Sequence, residues 1–398
     1  MTEPQQQLRY REILSYGLIV MALTHTLTHA FQNMHSTLYP ILKEEFMLSN
    51  QQIGLISSIP SLSSALLSIP TGLLSDKIGS KKMILLSNLV AITGAVIAGV
   101  AQNPLMLILA VSMLYVNTTI YHPASYSFTT FLFKPQDRSK ALGLHGAGGT
   151  LGMAIGPISV SIIVGLLGLG WRYVYLAWVI PLLLSLIAVY AIKVVPTADD
   201  EDKTSMENGI KGAQKLWTTS LILFLVYSGL KMAASNMTLT FLSLWLVNDI
   251  GFTVSTTSLI IGASSLMGIF AAPIGGALAA RYGEKRWTYS TLIISISSFA
   301  LAFLLRIKWV FPVFYLGYGF FNLLSMAANS AIMAKLSPSR QRGLGFALYF
   351  LPGSIMGAIG PIVAAFIADS FGIFTVFIAS MVVFASSWTL FTFGVKVD

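Results

Sequence analysis

The sequence predicts an all-α polytopic membrane protein, with twelve transmembrane helices in two pseudo-symmetric six-helix halves. Three observations predict it. Apolar runs are long enough to cross a bilayer, one polar linker lies midway, and segments of the first half recur in the second. The chain has 398 residues, 55% hydrophobic and 10% charged, with a mean hydropathy of +0.76. A soluble domain carries about 25% charged residues, so one large soluble core is excluded. The polar opening "MTEPQQQLRYRE" and the long first apolar run do not fit a signal peptide. With no cysteine, disulfides and thiolate metal sites are excluded.

A span needs roughly 20 mostly apolar residues. Twelve stretches qualify: 13–42, 51–75, 83–102, 104–133, 139–168, 172–194, 216–247, 254–280, 287–306, 309–335, 342–368 and 372–395. The breaks are short and polar, except 195–215, "VPTADDEDKTSMENGIKGAQK". Its acidic run and lack of periodicity predict a flexible linker. The expected domains are thus 1–194, the cytoplasmic linker 195–215 and 216–398.

Twelve spans put both termini on one side, and lysine and arginine decide which. Of the 24 basic residues, 19 fall on the side of the termini and four (Lys43, Arg172, Arg306 and Lys308) on the other. Both termini are therefore expected in the cytoplasm, with the chain in the cytoplasmic or inner membrane. The net charge of +9 is mostly this bias, not a nucleic-acid footprint. Lys231 is the exception, about 22 Å into the seventh span at 1.5 Å per residue.

The halves repeat. "GLLSDKIGSKK" (72–82) answers "GALAARYGEKR" (276–286), and "AIGPI" (154–158) recurs at 358–362, both 204 residues apart. "FMLS" (46–49) answers "FTVS" (252–255) at an offset of 206, which maps His25 onto Lys231. Parallel repeats of this kind belong to transporters that rock their halves about a central site.

All fifteen acidic residues lie in loops, termini or helix ends, so no mid-membrane carboxylate is available to carry a coupled proton. The ionisable groups left inside are His25, His29, His35, His122, His145 and Lys231. On a helix of 3.6 residues per turn, His25, Thr28, His29, Gln32 and Ser36 make one polar stripe. Lipid cannot satisfy it, so it faces the bundle interior or water. A second stripe runs through Tyr227, Ser228, Lys231, Ser235 and Thr238. Each histidine could instead make an ordinary interhelical hydrogen bond. His35 lies off the stripe and His145 near a helix end, which suits packing. His122 precedes Pro123 at what could be a kink, and Lys231 could snorkel. Asn322 and Ser325 could be interhelical glue. The glycines of spans 5 and 11 suit close packing. No strand precedes them, so a nucleotide loop is excluded.

The chain resembles the major facilitator superfamily over essentially its whole length. The loop 72–82 fits that family's G-x-x-x-D-[KR]-x-G-x-[KR]-[KR] through Gly72, Asp76, Lys77, Gly79, Lys81 and Lys82; its second copy has Ala280 in place of the acid. Gly143, Gly152, Gly156 and Pro157 fit G-x8-G-x3-G-P, which the family associates with exchangers. The first span and "YHPAS" (121–125) look like the fosmidomycin-resistance branch, where H-x-x-N-D is frequent; here His29 is followed by Gln32, Asn33 and Met34. The resemblance implies that spans 1, 4, 7 and 10 line a central cavity. That would place His25, His122, Lys231, Asn322 and Ser325 around it; with the stripe residues His29, Gln32 and Tyr227 these are the candidate substrate-binding residues. It also implies gating by Gly72, Asp76, Lys77, Gly79, Arg138, Gly152, Gly156 and Pro157, with Asp76 latching the halves and Arg138 near it.

The leading expectation is a secondary transporter, an exporter working as a monomer by alternating access. Its substrate would be a small organic anion or a phosphonate-like or amphiphilic drug, with a coupling proton on the histidines. It expects no cofactor and no nucleic-acid partner. The alternative is a transition-metal transporter using His25, His29 and His122. Against a metal, no carboxylate or thiolate joins the histidines, and Lys231 repels a cation. A membrane enzyme or transport-fold receptor is disfavoured because no nucleophile–base motif, redox ligand set or sensory domain is present.

Overall fold

The computed structural model describes residues 15–133, 135–192, 217–336 and 342–397. The linker 195–215 lies outside the described residues. The described residues are almost all helical: α1 Tyr16–Thr37, α2 Tyr39–Glu45, α3 Asn50–Ile78, α4 Ser80–Gly99, α5 Pro104–Phe131, α6 Pro135–Val160, α7 Arg172–Ala191, α8 Thr219–Asn248, α9 Val254–Tyr282, α10 Glu284–Leu305, α11 Phe311–Leu324, α12 Met326–Leu336, α13 Arg342–Phe371 and α14 Ile373–Thr389. After α6 and α14 the backbone widens into π-helical turns, Ser161–Leu166 and Leu390–Gly394.

Ten of these segments are long and apolar enough to cross a membrane. The other two spans read from the sequence are α1 with α2, and α3. Histidine, threonine and glutamine dilute the first, and serine and proline the second. Spans 1 and 10 are each broken, which the sequence analysis did not foresee. Leu38 separates α1 from α2 just before Tyr39-Pro40, where proline cannot donate into the preceding turn. Ser325 separates α11 from α12. Leu66, Leu105, Ile180, Ile187, Phe366 and Val382 stand exposed; an outer surface this apolar suits lipid, not water.

Helix starts follow sequence signals. Asn103 accepts from the Met106 amide, with Pro104 opening α5. Ser49 and Gln52 exchange backbone-to-side-chain hydrogen bonds as a capping box before α3, and Thr253 caps α9 204 residues later. Left-handed backbone recurs at the same interval, at Met47 and Gly251, Gly79 and Gly283, and Gly168 and Gly372. Gly79 and Gly283, at φ 85° and 88°, make the turn of the two "G-x-x-x-D/A" loops, a conformation that excludes most side chains. The repeat therefore runs at 204 at the end of span 1 too, where the sequence analysis took 206. This correction removes the support for treating His25 and Lys231 as equivalent positions.

The chain divides into two compact units, Met1–Ile41 with Ile59–Thr197, and Leu42–Ser58 with Ala198–Asp398. In the first, Val20, Met21, Met83, Ile84, Ile120, Tyr121, Phe128 and Val189 form a buried cluster joining α1, α4, α5 and α7. In the second, Leu221, Phe224, Leu292, Ile332, Met333 and Phe391 join α8, α10 and α12 to the last span in the same way.

The tightest packing is between α1 and α6. Added Cβ atoms at Gly148, Gly152 and Gly156 would lie 2.3, 2.2 and 1.8 Å from the carbonyl oxygens of Ala22, Thr26 and Ala30. Two backbones thus meet along three successive turns. In lipid, where apolar burial gives no drive for association, such small-residue contact is the chief source of helix–helix attraction. Pro157 removes the donor to the Met153 carbonyl, and Asn33 of α1 donates to that oxygen at 3.5 Å. Gly152, Gly156 and Pro157 thus shape this contact.

Gly156→Ala should force the helices apart and cost about 1–3 kcal/mol through overpacking. Gly143→Ala, in open space on the same helix, should be neutral or stabilising by up to about 1 kcal/mol. Thermal unfolding in detergent checks this; equal melting temperatures for the two variants would contradict the packing argument.

Candidate functional site

Functional groups gather at one cluster in each unit. In the first unit, α1 and α5 bring three imidazoles to one point. His29 Nε2 lies 3.0 Å from both His25 Nε2 and His122 Nε2, and those two lie 3.3 Å apart. His25 and His29 are one helical turn apart, and His122 enters from the neighbouring helix just before Pro123. The close α1–α6 contact supports the cluster. A Cβ at Gly149 would meet His25 Cε1 at 2.7 Å and His29 Cδ2 at 3.0 Å, so the missing side chain leaves room for both rings.

The outward nitrogens are also held. His25 Nδ1 donates to the His145 carbonyl at 2.6 Å, because a carbonyl can only accept. The His145 ring stacks on His25 at 4.2 Å and 14°. His29 Nδ1 lies 2.7 Å from Gln32 Oε1; with the amide oxygen in that position the histidine is the donor. In the neutral rings of His25 and His29, both Nε2 atoms are then lone pairs. His122 can supply at most one hydrogen when neutral. At least one pair of lone pairs therefore faces at hydrogen-bond distance, which is repulsive until a cation enters. His25 is buried, whereas His29 and His122 are half-buried.

Helical periodicity placed His25, His29 and Gln32 on one stripe and the family resemblance implied His122 in the same cavity; the structure brings the four side chains together. Thr28 and Ser36 instead bond backbone carbonyls of their own helix. His35 stands apart, with Nδ1 3.0 Å from the Tyr175 hydroxyl. The sequence analysis missed the use of the His145 carbonyl and the space at Gly149. Only the "GAGG" run (146–149) hinted at the second.

In the second unit, Lys231 Nζ donates to Ser325 Oγ at 3.4 Å. Asn329 Nδ2 donates to the same oxygen at 3.4 Å, and the Tyr227 hydroxyl donates to Asn329 Oδ1 at 3.3 Å. The break at Ser325 makes this possible, since its hydroxyl also bonds the Asn322 carbonyl at 2.7 Å. Asn322 enters through its backbone carbonyl. Asn329, absent from the sequence candidates, lies four residues beyond Ser325 on the same helical face, which is the signal that could have found it.

Two basic residues of the cytoplasmic-side motifs, Lys81 and Arg138, make local contacts. Lys81 donates to the carbonyls of Tyr190 and Ile192 at 2.8 and 2.7 Å, closing the C-terminus of α7. Arg138 Nε donates to the Thr130 and Phe133 carbonyls at 3.1 and 3.3 Å, closing α5. Cations at these ends also meet the favourable pole of the helix dipole. Lys77 is exposed, and a Cβ at Gly72 would meet nothing within 4 Å. The side chain of Asp76 lies outside those described.

The Asn329 bonds predict that Asn329→Ala lowers stability by about 0.5–1.5 kcal/mol, and more than Asn322→Ala does. Thermal unfolding of the purified variants reads this directly; equal losses would remove Asn329 from the network.

Comparison with known proteins agrees with this architecture. The family model described as Major Facilitator Superfamily matches residues 21–232 and 225–397. The fosmidomycin resistance protein of Escherichia coli (strain K12) is 24% identical over 363 residues, covering 89% of this chain and 87% of the relative. The "Probable nitrate transporter NarT" of Staphylococcus haemolyticus is 24% identical, covering 85% of each chain. The quinolone resistance protein NorB of Staphylococcus aureus is 25% identical over 56% of this chain and 47% of its own. Among solved structures, a bacterial homolog of the human lysosomal transporter Spinster, inward-facing and occupied, superposes with a TM-score of 0.84 at 16% identity, covering 98% of each chain. The protein is thus a multi-pass membrane secondary transporter of small molecules, and the chain belongs to the major facilitator superfamily, near its fosmidomycin-resistance branch.

Proposed function

We propose that the protein exports a small organic or inorganic anion, or a drug bearing an anionic group, across the cytoplasmic membrane by alternating access. The observation that carries this reading is Lys231. It sits within α8, and its hydrogen-bond partner is the neutral Ser325 hydroxyl. Among the described residues no carboxylate lies within ion-pair distance of it. An ammonium in a membrane span is expensive without a countercharge, and a substrate anion would supply one. The neutral oxygens and amides of Tyr227, Ser325 and Asn329 would position that anion without competing for it.

The relatives support this choice of substrate class. Nitrate, named for one of them, is an anion, and two others are named for drug resistance, which supports export. The bias of basic residues, 19 of 24 on one side, supports cytoplasmic termini.

Flux of nitrate and of fosmidomycin in proteoliposomes tests the reading. Lys231→Ala should weaken the transported probe's apparent affinity about 10- to 100-fold, the loss of one charge-assisted contact. Lys231→Arg should lose less, limited by the shape of the guanidinium fork. Ser325→Asp should mimic Lys231→Ala by giving the ammonium an internal partner. Wild-type affinity in Lys231→Ala would overturn the anion reading.

A further inference from the structure

The remaining chemistry lies in the first unit, in the three imidazoles. Their Nε2 atoms converge on one point instead of pairing off, at 3.0, 3.0 and 3.3 Å. A tetrahedral zinc-like ion about 2.0–2.1 Å from each nitrogen would set its ligands about 3.3 Å apart. The observed triangle matches this to within a few tenths of an ångström. His25, His29 and His122 also form a group of side chains placed to share one metal ion.

The orientation of two of the rings, His25 and His29, matches as well as the spacing. A metal-bound histidine characteristically gives its other N–H to a carbonyl or carboxylate, which fixes the tautomer and aims the lone pair. Here His25 gives Nδ1–H to the His145 carbonyl and His29 gives Nδ1–H to Gln32. The Gly149 gap keeps these two rings from being pushed off this geometry.

We propose that His25, His29 and His122 form a three-imidazole site for a divalent transition-metal ion, bound through Nε2, with the fourth coordination position left to water or an anionic oxygen. The lack of a thiolate or carboxylate, which counted against a metal in the sequence, is not an obstacle. Three histidines are an established zinc ligand set, and three protein ligands are the pattern of sites that keep a position open. An all-imidazole set favours Zn²⁺, Co²⁺, Ni²⁺ or Cu²⁺ over Mg²⁺ and Ca²⁺, which prefer oxygen. The site stands on the first unit alone and does not depend on the Lys231 reading.

The test uses the full chain, purified in detergent without a polyhistidine tag and stripped with chelator. Titration with Co²⁺ should show one equivalent bound, with the intense visible bands of tetrahedral coordination. Zn²⁺ should displace it and Mg²⁺ should not. His122→Ala should weaken Zn²⁺ binding by more than about 100-fold, since even outer-shell changes cost 10- to 100-fold. His35→Gln, outside the cluster, should bind as the wild type does. X-ray absorption of the Zn²⁺-loaded wild type, which needs no variant to fold, should show imidazole nitrogens near 2.0 Å. No stoichiometric binding to the wild type, oxygen-dominated coordination in the absorption spectrum, or unchanged affinity in His122→Ala would overturn the proposal.

Discussion

The contact between the backbones of α1 and α6 is the constraint on which the site depends. Gly148, Gly152 and Gly156 let the two helices meet at carbonyl distance over three turns. At that separation the His145 carbonyl reaches His25, and the vacancy above Gly149 receives the rings of His25 and His29. A wider separation would lose the His145 bond and free the rings to choose other rotamers. The histidine geometry is thus a consequence of helix packing. Packing of this kind is what bilayers favour, because dispersion and small side chains must do what hydrophobic burial does in water.

The two units solve the problem of polarity in the membrane differently. The first gathers imidazoles whose outward protons are satisfied by carbonyl oxygens, leaving electron pairs aimed inward. The second holds a cation, Lys231, among a serine, an asparagine and a tyrosine. On the readings proposed above, one centre would take a positive guest and the other a negative one. Neither contains a carboxylate among the described residues, so neither is neutralised from within. Residues left in such a state are costly in a membrane, and in a transporter that cost points to the cargo or to bound ions.

Much of the fold was legible because bilayer thickness fixes segment length. The apolar runs fell within a few residues of the observed helices, and the repeated loops marked the duplication. The break at Ser325 was not legible, since apolar composition runs up to it; the break at Leu38 had a signal in Pro40 that the sequence analysis did not use. The offset of 206 near "FMLS" was a misreading; the capping residues Ser49 and Thr253 and the left-handed Met47 and Gly251 show 204. Of the site, helical periodicity found His25, His29 and Gln32. The meeting of His122 with them was implied by family resemblance alone, because no local pattern says which helix packs beside another. The His145 carbonyl was missed because its role arises from tertiary contact, and Asn329 because its i+4 spacing from Ser325 was not followed. Arg138 was expected near Asp76, whose side chain lies outside those described; its Nε closes the end of α5.

The central claim is that the packed helices fix the tautomers of His25 and His29, so that their Nε2 lone pairs face His122. Nitrogen-15 NMR of the metal-free protein, labelled at the imidazoles and assigned by single-histidine variants, reports this directly. The account predicts that His25 and His29 in their neutral forms both carry the proton on Nδ1, with one-bond N–H coupling there and none at Nε2. Protonation of both neutral rings at Nε2 would contradict it, because the cluster would then present hydrogens where the structure places electron pairs.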